Sequence, residues 1–253
     1  MTRFAIFFLC MIIILAILAP HIAPYDPMQI IAQPEQPPNM QHIFGTDSLG
    51  RDVLSRMLFG GSRTLLIAAS ASVIVMLPGL ILGMLAGVLG GWIDRFIQIM
   101  VNTALAIPSL VIALVILTLT GQGEQQLALA TGFSLIPLYI QVTRSIVRQI
   151  YQEGYIESAI AAGAGTWGLL VRHILPNSLP VLLAYGGVIF SYCLINSAGL
   201  SFLGLGGEPG IPDWGVMLAE GRSAFRTAPW LGIIPGIAVF LTVFSVNTLT
   251  SKS

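Results

Sequence analysis

Charge is scarce in this 253-residue chain. Asp, Glu, Lys and Arg together make up 9% of it, against roughly 25% in an ordinary soluble domain. The formal net charge is zero and basic residues are few, which excludes a nucleic-acid surface and a polybasic lipid-binding patch. Cysteine is almost absent too: Cys10 and Cys193 both fall in apolar runs, where a thiol behaves as a small hydrophobe, so no disulfide framework is expected. Three histidines, two such thiols and scattered carboxylates supply no nucleophile, base or metal cluster. Enzyme activity is therefore not expected of this chain, nor a bound metal or cofactor of its own.

What is abundant is apolar sequence, 55% of all residues. Six runs approach the length needed to cross about 30 Å of hydrocarbon: Phe4–Ala19, Leu65–Leu89, Phe96–Leu119, Leu127–Val147, Leu179–Leu200 and Trp230–Leu249. Backbone amides in lipid have no water to bond, so each run is expected to be a helix. The expected fold is all-α, a polytopic membrane protein with six transmembrane helices. Thr2-Arg3 before an apolar run resembles a signal peptide, but Ala19-Pro20 is a poor cleavage site and a retained first helix fits better.

Placing the amino terminus in the cytoplasm puts Arg3, Arg95, Arg144, Arg148, Arg172 and Lys252 inside, with Arg51, Arg56, Arg63, Arg222 and Arg226 outside. Lys and Arg are counted by the positive-inside rule and acids are not, so this slight excess sets both termini as cytoplasmic.

The spans carry packing signals. Gly79, Gly83, Gly87 and Gly91 recur every four residues, a spacing that lines one helix face and lets a neighbouring backbone approach. Pro78, Pro108 and Pro137 each fall within a span, where the lost amide hydrogen bends the helix. No ionisable residue lies mid-span; the polar groups there are neutral, among them Asn102, Gln141, Tyr192 and Asn196, which are candidates to line a passage. Proton-coupled carriers and voltage sensors need intramembrane charge. Energy for transport is thus expected from elsewhere, although sodium sites built from hydroxyls and carbonyls stay open.

Residues 151–177 cannot sit in a bilayer, yet spans flank them. Tyr151, Tyr155, Ala159 and Gly163 share one helical face that passes from aromatic to very small side chains, with Glu153 and Glu157 beside it. Ala159, Ala162 and Gly163 leave a bare patch into which a partner surface can close. Gly163 and Gly165 end this helix, Thr166 caps a second running through Val171, and Pro176 with Pro180 ends that one. An amphipathic helix lying on the membrane would instead carry bulky apolar and basic faces.

Glu157-Ser158-Ala159, then Gly163, then Leu175-Pro176 resemble the Glu-Ala-Ala loop in membrane subunits of ATP-binding-cassette (ABC) importers. Ser158 departs from the usual alanine. His173, within RHILPN, replaces the usual isoleucine and resembles the dipeptide, oligopeptide and nickel branch; it reads as a polar group satisfied inside the loop. Residues 42–66, residues 198–222 and the stretch around Asp94 and Pro108 resemble the shorter membrane subunit of that branch. The resemblance runs from Pro24 to Leu249, beyond which the chain ends in TSKS where the family carries a charged tail.

This resemblance implies a permease subunit of an ATP-driven importer in the inner membrane. Its parts are a first helix with outer segment, 1–61, and a five-helix core, 62–253, holding a cytoplasmic helix-turn-helix coupling loop, 148–177. It implies a homologous permease subunit, two ABC ATPase subunits that hold ATP and Mg, and an extracytoplasmic solute-binding protein as partners. Tyr155, Glu157, Ser158, Ala159, Ala162, Gly163, His173, Leu175 and Pro176 would form the ATPase-coupling site. Peptides, nickel or metal chelates are the implied cargo. A self-sufficient channel or ion-coupled carrier is the alternative, and a non-transporting scaffold a third reading.

The string Leu203-Gly204-Leu205-Gly206-Gly207 lacks the strand and Lys-Ser/Thr of a phosphate loop. It is expected to be a tight turn at the outer mouth, stiffened by Pro209 and Pro212, with Trp214 at the membrane interface. Arg51-Asp52 and Arg56 are of a type that can contact a ligand, but a solvated or locally paired surface is expected.

Overall fold

The computed structural model describes residues 2–206 and 210–250. The expectations for Gly207, Pro209 and Lys252 lie outside the described residues. Among these, ten α-helices form and no strand; the single bridge between Thr46 and Asp52 pins the outer segment.

The helices are α1 (Thr2–Ile22), α2 (Val53–Leu89), α3 (Gly91–Leu105), α4 (Ser109–Thr120), α5 (Glu124–Tyr151), α6 (Gly154–Ala161), α7 (Thr166–Leu169), α8 (Leu175–Leu200), α9 (Trp214–Ser223) and α10 (Trp230–Thr250). Counted by length and apolarity, α1, α2, α5, the 166–205 segment and α10 are each able to cross a membrane, and α3 with α4 adds a sixth when this bent pair is counted as one broken span.

Helix α2 begins well before the apolar run at Leu65. Asp52, in extended conformation, accepts the Ser55 amide with its carboxylate at 2.8 Å and so caps the helix at Val53. Apolarity reports where a helix meets hydrocarbon, whereas the cap reports where it starts.

Two of the three prolines do not interrupt their helices: α2 passes through Pro78 and α5 through Pro137. Pro108 does. The chain stops being helical at Ala106–Pro108, and α3 and α4 meet at 87°. Proline disfavours the helical region for the residue before it, a bias that Leu77 and Ile136 overcome inside their helices and Ile107 does not.

The fifth span also differs from expectation. Pro176 and Pro180 do not end a helix; α7, a π-turn over Leu170–Ile174 and α8 run on as one helical segment, with left-handed Gly204 kinking it just before Leu205. The wider turn lets Leu175 N–H reach Leu170 O, and the Asn177 side chain donates to His173 O near the position where Pro176 offers no donor.

The bundle is centred on α2 against α5, with α8 across both. Its main core joins Val75, Met84, Tyr139 and Val147 to Leu182 and Ile189, and continues through Ile156, Leu169 and Ile174. A second cluster unites Phe8 and Ile12 of α1 with Trp214, Met217 and Leu231. Trp214 is therefore a buried core residue and not an interfacial one: its indole N–H donates to Met57 O and its ring lies over Gly61.

Three of the four stripe glycines face α5. A Cβ added at Gly79 would lie 2.8 Å from Tyr139 Cδ1, at Gly83 2.5 Å from Thr143 Cβ, and at Gly87 2.5 Å from Val147 Cγ1. The partners advance in step with the glycines, so α2 and α5 run parallel in fixed register. Gly91 does not belong to this contact. It starts α3 at φ +56°, and a Cβ there meets nothing within 4 Å.

Candidate functional site

At one end of the bundle, α5 finishes at Tyr151 and the chain turns through Gln152-Glu153 into α6. Ile156 is 0% exposed and anchors α6 in the main core, with Ala159 and Ala164 packed at its margin. Ala159 thus leans inward. The face left open is made by Tyr155, Glu157, Ser158, Ile160, Ala161 and Ala162.

Gly163 ends α6, as the sequence led one to expect. Its φ is +86°, its N–H bonds Ile160 O at 2.9 Å, and Ala164 N–H bonds Ala159 O at 3.0 Å. This pair of bonds is a Schellman ending, which demands a left-handed residue at that position. Nothing lies within 4 Å of an added Cβ, so the constraint on Gly163 is conformational and not steric.

The cap of α7 is Gly165, with Thr166 the first helical residue. Trp167 stands 73% exposed beside the α6 face, a large apolar side chain that the pattern of small residues did not single out. Its signal in the sequence was an isolated tryptophan between Thr166 and Gly168, which carries no periodicity. His173 is half-buried, Leu175 half-buried and Pro176 exposed. The His173 imidazole makes no hydrogen bond among the described residues; only its backbone carbonyl is engaged, by Asn177. The reading of a polar ring satisfied within the loop is corrected accordingly.

The loop is joined to a long helix at each end. One side continues α5; the other is the unbroken rod through α8. Beside it, Asp94 of α3 accepts from Arg144 at 2.5 and 2.8 Å and from Arg148 at 2.6 Å.

Of the neutral polar residues, Asn102, Gln141 and Tyr192 are exposed and Asn196 half-buried. Of these four, Asn196 alone has a side-chain partner on another helix among the described residues, Ser109 Oγ at 3.3 Å, which ties α8 to the start of α4.

The opposite end of the bundle holds a second charged cluster. Arg51 donates to Asp47 at 2.7 Å and to Glu220 at 3.1 Å, Arg56 donates to Glu220 at 2.7 Å, and His42 pairs with Asp52 at 3.0 Å. Arg56 is 0% and Asp52 1% exposed, so the expected local pairing is present between Arg51 and Asp47 but within a buried clamp and not on a solvated surface. Glu220 comes from far along the chain, which is why local sequence could not reveal it. Burial chiefly holds the Asp213 carboxyl above its ordinary pKa, partly offset by the Val216 amide that Asp213 caps at the start of α9.

A spanning bundle with a stiffly mounted, small-residue loop narrows the candidates, and sequence comparison decides among them. The family described as "Binding-protein-dependent transport system inner membrane component" matches residues 79–251. The chain belongs to this family. Among its relatives, the glutathione transport system permease protein GsiD of Pectobacterium atrosepticum is 38% identical over 96% of this chain and 81% of its own length. The di/tripeptide transport system permease protein DppC of Pseudomonas aeruginosa is 34% identical, covering 96% and 82%. A solved structure of the methionine ABC transporter MetNI in inward-facing conformation has the same fold, with TM-score 0.62 over 79% of this chain and 96% of that one, at 19% identity.

As a binding-protein-dependent permease, the chain is a membrane subunit of an ABC importer and not an enzyme; ATP hydrolysis lies in separate subunits. Its partners include ATPase subunits, a binding protein and the membrane itself.

Proposed function

We propose that this permease forms half of the pathway of an importer for short peptides, glutathione among them, pairing with a homologous second permease. The α6 face from Tyr155 to Ala162 seats in an ATPase subunit, where ATP and Mg are held, and both termini of this chain are cytoplasmic. The observation that carries this reading is the mounting of α6. Its outer face is open, with Ser158, Ala161 and Ala162 between Tyr155 and Ile160, its inner face is locked by Ile156, and short turns join it to α5 before it and to α7 and α8 after it.

That mounting suits force transmission. A docking helix on a floppy tether would lose the ATPase stroke in loop motion, whereas one sharing a core with Val147 and Ile174 moves α5 and α8 with it. Exposed Asn102, Gln141 and Tyr192, with Asn196, supply neutral hydrogen-bonding groups for a polar solute. Selection among solutes rests with the binding protein.

The test is uptake into proteoliposomes holding the whole assembly, with a dipeptide, glutathione, nickel ion and a nickel chelate offered in turn. ATP-dependent accumulation of a peptide supports the proposal, and accumulation of nickel species alone would redirect it. Solute flux through this chain alone, without ATP, would make it a self-sufficient channel.

A further inference from the structure

Helix α3 is loosely held along most of its length. Of its 15 residues only Asp94 and Val101 are buried, and Gln98, one turn beyond Asp94, has a buried amide nitrogen with no partner among the described residues. Yet α3 leads through the 87° break into α4, whose Ser109 touches Asn196 among the neutral polar residues. Apolar packing holds α4, whose Ala113 and Leu117 are buried with Ile67 and Leu127, while the charged tie between α3 and the bundle is Asp94. Its two oxygens take three hydrogen bonds from Arg144 and Arg148, successive turns of α5. Arg148 is in the last turn of α5, immediately before α6.

We propose that Asp94 is a positioning residue that passes movement of the coupling helix into the bent α3–α4 limb. The route is continuous: Ile156 fixes α6 to the core that contains Val147, α5 carries the displacement, and the two guanidiniums draw on Asp94. A bidentate guanidinium–carboxylate pair fixes orientation as well as distance. An apolar contact at this place would allow α3 to slide. Since α4 meets α8 at Ser109 and Asn196, displacement of α3 alters the spacing of the polar groups there. This inference rests on α6 being the ATPase seat.

The complete assembly, with ATPases, second permease and binding protein, tests it in proteoliposomes by measuring solute uptake and binding-protein-stimulated ATP hydrolysis together. Asp94→Asn keeps the shape and removes the charge. The expected result is retained ATP hydrolysis with solute moved per ATP reduced about tenfold, a typical coupling effect. Asp94→Glu is expected to restore most of that ratio. An unchanged ratio in Asp94→Asn overturns the proposal, as does a parallel fall of hydrolysis and uptake in an intact assembly. Should Asp94→Asn fail to assemble, Arg148→Gln serves, since it removes one of three bonds at a partly exposed side chain; an unchanged ratio there likewise overturns it. Ala162→Asp is run alongside. If that variant still binds the ATPase and imports solute, the docking reading has failed; if it loses both while Asp94→Asn behaves as wild type, only the tether has failed.

Discussion

Thr143 of α5 lies against Gly83 of α2 so closely that a single added methyl group has no room: it would stand 2.5 Å from Thr143 Cβ and 2.9 Å from Ile140 O. With Gly79 under Tyr139 and Gly87 under Val147, this contact sets the distance between the two central helices.

Gly83→Val is therefore expected to destabilise the bundle by about 1–3 kcal/mol through overpacking, seen as a lower midpoint of thermal unfolding in detergent. Gly168→Ala in α7, where an added Cβ meets open space, is the control and should leave the midpoint unchanged or slightly raised. Equal behaviour of the two variants would show that the stripe does not set helix spacing.

At the coupling loop, Gly163→Ala and Ala162→Asp should fail in different ways. The first forces a side chain into a left-handed conformation and costs about 1 kcal/mol, and Gly163→Asn should cost less because Asn tolerates that region. The second leaves α6 folded but puts charge on its open face, so ATPase binding and uptake should both be lost. Co-purification of the ATPase with each variant distinguishes them. Loss with Gly163→Asn but not with Ala162→Asp would reverse the assignment.

The buried clamp makes a third expectation. Glu220→Gln leaves Arg56 buried with one carboxylate partner fewer, and breaking a buried pair of this kind costs about 3 kcal/mol. Limited proteolysis of the outer segment, residues 23–52, should accelerate in this variant while the α2–α5 core stays protected. Unchanged cleavage would mean that Glu220 does not hold the segment.

Asp213 predicts a pH dependence. Its carboxyl pKa is raised in the folded protein above the ordinary 3.8, chiefly by burial, so the folded state holds the proton more firmly than the unfolded one. The stabilisation is fully present below the unfolded pKa and is lost as pH rises through the folded one. Relative to Asp213→Asn, which keeps the cap on α9 without the charge, the wild type should gain in unfolding midpoint as pH falls from neutral toward 4. A difference that stays constant over that range would remove burial as the dominant influence on this group.

Apolar run length and the rule that backbone in lipid must bond to itself were enough to establish an all-α membrane bundle. The four-residue glycine repeat marked a packing face, and small residues between spans marked the loop, because these are local periodicities that a helix projects onto one side. Several features were beyond reach. Asp52 starts α2 outside the hydrocarbon run, and Pro108 breaks its helix while Pro78 and Pro137 do not, since neighbouring helices decide whether a lost amide bond is tolerated.

By itself, then, the sequence determined that long apolar helices cross, which face of α2 is narrow, and that a polar loop rich in small residues interrupts them. Tertiary structure alone decided that Gly91 leaves the stripe, that Ala159 turns inward while Ala162 stays open, and that Glu220 meets Arg56 and Asp94 meets Arg144. The reason is physical: periodicity is written along one helix, but burial and charge pairing depend on which distant helix arrives opposite, and at what distance.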